Sequence, residues 1–190
     1  MNIKEGIEKR FSVRAFTKEV PDMKLISEIL KTANAAPSGG NIQPWTVYVL
    51  NEQAKNNLAK ETLQNFDTGV QEEIEYDIYP KPLADEYKKR RYECGADMYN
   101  ALSIEKDDLD SRFKQIRENY NFFGAPIGMI ITIDRSFGSN GWGHVGMFLE
   151  NLWLSAIHFG LGLCLQESWS IYPKTVKKHI DHPDLSLIHI

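Results

Sequence analysis

The chain reads as one α+β domain, and three observations predict it. Its 190 residues are the length of a single ordinary domain, or at most two small ones. Its strand-like runs are few and short, and long stretches of helical periodicity separate them. No internal repeat or low-complexity tract divides it.

The elements follow in order. Asn2-x-x-Glu5 is a capping-box variant that starts a short first helix. A second helix begins near Asp22, just after Pro21, with Leu25, Ile26, Ile29, Leu30 and Ala33 at helical spacing. It is expected to run to Ala36, because Pro37 disfavours helical geometry in the residue before it. Pro37 to Pro44 is loop, and Trp45 to Leu50 is a β-branched and aromatic strand. Gln53 to Phe66 and the whole charged stretch from Asp85 to Tyr120 are expected to be helical, joined by an aromatic connector from Tyr76 to Pro82. Ile127 to Ile133 is a buried strand, and a helix with a broad apolar face runs from about His144 to Phe159, ending at Gly160-Leu161-Gly162. Leu163 to Gln166 reads as a short strand, Pro173 to Ile180 as a last amphipathic helix, and Leu185 to Ile190 as a closing strand.

Composition excludes several classes. With 42% hydrophobic, 11% aromatic and 25% charged residues the chain is globular, neither collagen-like nor wholly disordered. The 22 basic against 26 acidic residues give a net charge of −4, the wrong sign for a general nucleic-acid binder. Cys94 and Cys164 form no framework, and the first residues have no apolar core of the signal-peptide kind. The apolar-leaning stretch 151–166 is too short and too interrupted to span a membrane. A cytoplasmic protein is the expectation.

Two motifs carry chemistry. In Arg10-x-Ser12-x-Arg14, extended chain would put two guanidiniums and a hydroxyl on one side, a match for phosphate and carbonyl oxygens. Taken alone, a solvated basic stretch explains it better. In Pro37-Ser38-Gly39-Gly40-Asn41-x-Gln43-Pro44-Trp45, glycines allow close backbone approach while Ser, Asn and Gln supply directed polar groups. An ordinary helix-to-strand turn accounts for the Gly and Pro content, but not for Asn41, Gln43 and Trp45 in this order.

Together the two motifs resemble the nitroreductase family of FMN-dependent oxidoreductases. The resemblance continues at Phe123-Gly124-Ala125-Pro126 before the buried strand, and in the apolar helix ending Gly160-Leu161-Gly162 followed by Gln166-Glu167-Ser168. It therefore covers most of the chain, in order. It implies a mixed or antiparallel central sheet surrounded by helices, and a homodimer with both active sites at the interface.

By the same resemblance, Arg10, Phe11 and Ser12 belong to the FMN site, Arg10 and Ser12 at its phosphate and ribityl chain. Arg14 stands at the pyrimidine end, where a positive charge stabilises reduced flavin. Pro37, Ser38, Gly39, Asn41 and Gln43 form the loop brought to the flavin by the partner subunit, and Gln166, Glu167 and Ser168 lie near the reactive N5 edge. The helix from 144 to 159 matches the family's central dimer helix. Phe122 or Phe123 is expected to stack on substrate. The implied activity is ping-pong transfer from NAD(P)H to an electron-poor small molecule, a nitroaromatic or quinone, with no catalytic acid or base and no metal. Dehalogenation or enone reduction on the same scaffold are alternatives.

A third alternative is a dimeric module with weakened FMN binding. The family's closing strand runs on into a tail with a basic phosphate ligand, and a single domain over 1–190 is expected to lack it. The loss would be on the order of 1.5–3 kcal/mol.

Other features tempt different readings. Gly141-x-Gly143-x-x-Gly146 is a literal dinucleotide fingerprint, but Asp134 to Asn140 separate it from the strand, so it reads as a Gly-rich helix entry. His179-x-x-His182 reads as surface histidines and Cys164 as a core thiol. His144 stands where the family more usually has a carboxylate. Lys88-Lys89-Arg90-Arg91 reads as a solvated helix face, with recruitment of an anionic donor as the functional alternative.

Overall fold

Two faces of a small sheet organise the molecule, and each is covered by a pair of helices. The computed structural model describes residues 2–180 and, as backbone, 185–189. In chain order the helices and strands are α1 (Ile3–Lys9), α2 (Met23–Ala33), β1 (Trp45–Leu50), α3 (Glu52–Asp67), α4 (Asp85–Ala101), α5 (Leu109–Arg117), β2 (Gly128–Asp134), α6 (Gly138–His158), α7 (Pro173–Ile180) and β3 (Leu185–His189). The sheet is antiparallel throughout, in the order β1-β2-β3. β1 pairs with β2 along its whole length, Trp45 opposite Ile133 and Leu50 opposite Gly128, while β3 pairs with the second half of β2.

The alternation of the strands sorts the core. Trp45, Ile131 and Ile133 face α2 and α6, meeting Ile29, Ala33, Phe148 and Leu152. Leu50 and Ile130 face the other way, toward Leu58 on α3, Val176 on α7 and the aromatic group Tyr120, Phe122, Trp169 and Tyr172. Trp45 stacks on Phe148 with ring centroids 5.0 Å apart. The apolar stripe of α6 is thus filled within one protomer. Its width needs no dimer contact to explain it, and Gly143, Gly146 and Met147 lie on the exposed side.

Four element boundaries differ from the sequence expectation. α2 stops at Ala33, three residues short of the limit set by Pro37, and 34–36 form a tight turn in which Ala35 and Ala36 donate to Thr32 and Ala33. The stretch 85–120 is two helices, not one. Ser103 adopts φ 55°, and Asp108 opens α5 by accepting from the Ser111 N–H. α6 starts at Gly138, so the glycine-rich entry lies inside the helix. Gly141 packs so tightly on β2 that a Cβ there would sit 2.1 Å from Ile133 Cδ1. This close helix-on-strand contact is what the first glycine of the apparent fingerprint serves. Finally, Leu163 to Gln166 forms no sheet ladder among the described residues, and its backbone is tied to a distant element by the bond from the Val13 N–H to the Leu163 carbonyl.

The remaining expectations hold closely. Asn2 and Glu5 form the reciprocal capping box. α6 ends in a Schellman turn, with Gly160 at φ 78° and bonds from Gly160 to Ile157 and from Leu161 to Ala156. Ile190, the end of the expected closing strand, and His182, half of the histidine pair, lie outside the described residues. His179 is held by the Glu61 carboxylate at 2.9 Å.

Candidate functional site

Beyond α1 the backbone turns extended at Arg10, at ψ 121°. The Val13 bond to Leu163 lays 10–14 alongside the segment after α6. Gly162 makes this possible, because a Cβ there would lie 2.8 Å from Val13 Cγ2. Residues two apart then share a side. Phe11, Val13 and Ala15 line an apolar groove of about 1030 Å³ that also takes in Leu152, Leu161 and Leu163. Arg10, Ser12 and Arg14 do not line it. Phe11 is therefore separated from the polar side of the segment, against the expectation that groups it with Arg10 and Ser12.

That polar side is electrostatically open. The Arg10 guanidinium stands over the Trp153 ring, 4.5 Å from its centroid, and Arg14 stands 5.9 Å from the Phe123 centroid. Among the described residues neither forms a salt bridge, and the Ser12 hydroxyl has no hydrogen-bond partner. Two cations and a hydroxyl on one edge, with no carboxylate among them, suit an anionic ligand. Cys164 lies within reach of Arg14's charge, yet burial outweighs it and pushes the thiol up. This half-buried thiol is thereby held in its neutral, less reactive form.

The loop from 37 to 44 is braced from within. The Ser38 hydroxyl accepts from the Gln43 N–H at 2.9 Å, and Gln43 Nε2 donates to the Asn34 carbonyl at 3.0 Å. Asn34 Oδ1 takes the Trp45 indole N–H at 2.8 Å. Gly40, Asn41 and Gln43 all adopt positive φ, between 50° and 59°. Gln43 is thus an internal strut, whereas Gly39 and Asn41 remain exposed at the tip, and Gly39 faces the His144 ring.

Gln166, Glu167 and Ser168 close the set. Gln166 is buried. Its amide donates to the Asn119 carbonyl at 3.0 Å and to Asn119 Oδ1 at 3.2 Å, and its own oxygen accepts from the Trp169 indole at 3.4 Å. The Ser168 hydroxyl also donates to Asn119 Oδ1, at 3.2 Å. Burial raises the Glu167 carboxyl above the usual range, and pushes nearby Tyr76 up to about 12. Tyr76 also packs edge-on against Trp142.

Of the two rings expected to offer one that stacks on substrate, Phe122 and Phe123, both are buried and Phe122 is packed into the core. Its ring lies 4.3 Å from that of Trp169 and fills the space over Gly128. Phe122 and Phe123 both take φ 51°, which turns the consecutive side chains apart, and Phe123 is the one that meets Arg14. Asn34, Asn119 and Trp153 escape sequence reasoning. Asn is common at helix ends, and Trp153 reads only as part of an apolar stripe.

Within one protomer the two motifs meet α6 at different positions. The loop reaches His144 near the start of α6, while Arg10 rests on Trp153, nine positions further on, or about 13 Å along the axis.

A cation-and-hydroxyl edge beside α6, a glycine loop at its other end, and an antiparallel sheet between helix pairs define the class. The chain belongs to the nitroreductase family, which it matches over residues 7–189. It is similar to a 4-nitrobenzoate reductase of Pseudomonas putida, 34% identical over 177 residues that span 92% of this chain and 77% of that protein. A nitrobenzene nitroreductase of Ectopseudomonas oleovorans is 28% identical over 187 residues, 98% of this chain and 82% of that one. The crystal structure of the FMN and NADPH-dependent nitroreductase NfnB from Sphigopyxis sp. strain HMH superposes with a TM-score of 0.94 at 34% identity, covering 100% of this chain and 86% of that chain.

Proposed function

We propose that this chain, a single domain over 1–190, is an FMN-dependent oxidoreductase that passes reducing equivalents from NAD(P)H to electron-poor small molecules of the nitroaromatic or quinone type. The observation that carries this is the edge formed by Arg10, Ser12 and Arg14, whose charges and hydroxyl have no polar partner among the described residues. The donor set suits FMN: Arg10 and Ser12 would hold the phosphate and ribityl oxygens, and Arg14 the pyrimidine end. When bound, FMN supplies the redox chemistry.

The chain's own residues then position and tune. Arg14 favours negative charge at the pyrimidine end, an interaction that strengthens as that charge develops. Trp153 and Phe123 carry the two guanidiniums on their faces and so limit their rotamers. The Gln166–Ser168 segment is held in one conformation, and no side chain is assigned as acid or base.

The assembly we infer is a homodimer in which the Ser38–Asn41 loop of each protomer serves the other's site. The separation of the two halves along α6 supports this, as do the exposed Ile3, Ile7, Phe11, Met23 and Ile42. No helix among the described residues is long and apolar enough to cross a membrane. Cys94 and Cys164 are both free, which suits a reducing compartment such as the cytoplasm.

The deciding experiment is the visible spectrum of the purified protein, followed by NAD(P)H oxidation with 4-nitrobenzoate. Flavin absorbance and acceptor-dependent turnover are expected. A colourless protein that takes up no added FMN overturns the proposal.

A further inference from the structure

The segment Gln166–Ser168 has no sheet ladder to fix it; the Ser170 N–H and hydroxyl hold the Glu167 carbonyl at 2.9 and 2.7 Å, and one side chain from a distant element, Asn119, holds the residues on either side of it. Asn119 lies in the 3₁₀ turn Glu118–Gly124 that follows α5. Its Oδ1 receives both the Gln166 amide and the Ser168 hydroxyl, each at 3.2 Å, which uses both lone pairs of that oxygen. Its Nδ2 donates to the Ile116 carbonyl at 2.8 Å, so the side chain cannot swing without losing all three bonds. The Gln166 amide is additionally held by the Asn119 backbone carbonyl, and its oxygen by Trp169. The two ends of the segment therefore differ. Gln166 has partners that outlast loss of the Asn119 side chain, whereas Asn119 Oδ1 is the acceptor that holds the Ser168 hydroxyl.

We propose that Asn119 is a positioning residue for the redox site, setting where the Glu167 and Ser168 backbone stands through this two-donor clasp. The proposal rests on the reading of 166–168 as the segment that faces the flavin. Asn119 itself touches no reacting atom. A displacement of the order of 1 Å in such a segment is enough to lower turnover roughly a hundredfold.

The test compares Asn119→Ala, which removes the acceptor, with Asn119→Asp, which keeps it and loses only the exposed donor to Ile116. Backbone amide exchange over 166–169 is measured on each protein without added cofactor. Flavin absorbance, flavin reduction potential and kcat are then measured on the FMN-loaded forms. Asn119→Ala is expected to keep its fold, because Gln166 retains its other partners. It should exchange at least about tenfold faster over 166–169, and its bound-flavin spectrum and potential should shift. Its kcat should fall ten- to a hundredfold, with KM for the donor little changed. Asn119→Asp, which keeps the acceptor but adds a negative charge, should restore the exchange over 166–169 to near the parent value. Unchanged exchange and potential in the alanine variant overturn the proposal, as does an aspartate variant that exchanges as fast as alanine. If no form takes up FMN, the functional reading above fails, and the exchange comparison still decides whether Asn119 holds the segment.

Discussion

Arg10 shows how a side chain becomes available for a ligand by what the fold withholds. Its guanidinium lies on an aromatic face and has no carboxylate beside it among the described residues, so an anion gains a charge-assisted bond without breaking a pair seen there. Replacing Arg10 by Ala should weaken FMN binding by about ten- to a hundredfold, in line with 1.5–3 kcal/mol for a charged hydrogen bond, as read from flavin fluorescence titration. Glu167 makes the complementary case. Burial raises its carboxyl above the unfolded value, so ionising it costs stability, and that cost is fully present once pH exceeds the folded pKa. Glu167→Gln, which removes the ionisable carboxyl at nearly constant shape, tests this. It should melt higher than the parent near neutral pH, and the difference should shrink as pH falls through the raised pKa toward the unfolded one. Melting curves across this range check it, and a gap that widens on acidification would contradict it.

At the scale of elements, close contacts explain residues that motifs misassign. Gly141 belongs to no nucleotide fingerprint. It lets α6 lie on β2, with Ile133 in the space a side chain would occupy. Gly141→Ala should cost about 1–3 kcal/mol of stability by denaturant unfolding, and trimming the neighbour with Ile133→Val should recover part of it. The end of α6 rests on a left-handed residue, so Gly160→Ala should cost roughly 1 kcal/mol in the same assay. α1, the start of α2, β1 and α7 are legible from sequence because caps and alternation are local signals. The break between α4 and α5 is not, because a charged stretch keeps helical propensity while the turn at Ser103 interrupts it. The chain at 163–166 has the composition of a strand, but whether a strand forms depends on a neighbour to pair with, and among the described residues a single backbone bond, from Val13, reaches it from a distant element.

For the whole molecule, the division of the site along α6 is the consequential fact. Arg10 and the Gly39 loop lie at different positions along one helix, which fits the proposed dimer in which each protomer's loop serves the other's site. Co-expressing an Arg10→Ala chain with one carrying Ser38→Ala and Asn41→Ala should raise NAD(P)H-dependent turnover at limiting FMN above that of either homodimer, since mixed dimers retain one unaltered site. No recovery in isolated mixed dimers would argue for sites complete within each protomer. Sequence by itself determined the α+β class, most of the element order and the identity of the polar residues, because caps, alternation and the two motifs depend on near neighbours in the chain. Only the tertiary structure decided that Phe122 is core, that Gln43 is a strut and that Phe11 faces away from Arg10. It also decided that Asn119 clasps 166–168. These are contacts between residues far apart in sequence, and their direction is set by backbone angles and packing that no local pattern encodes.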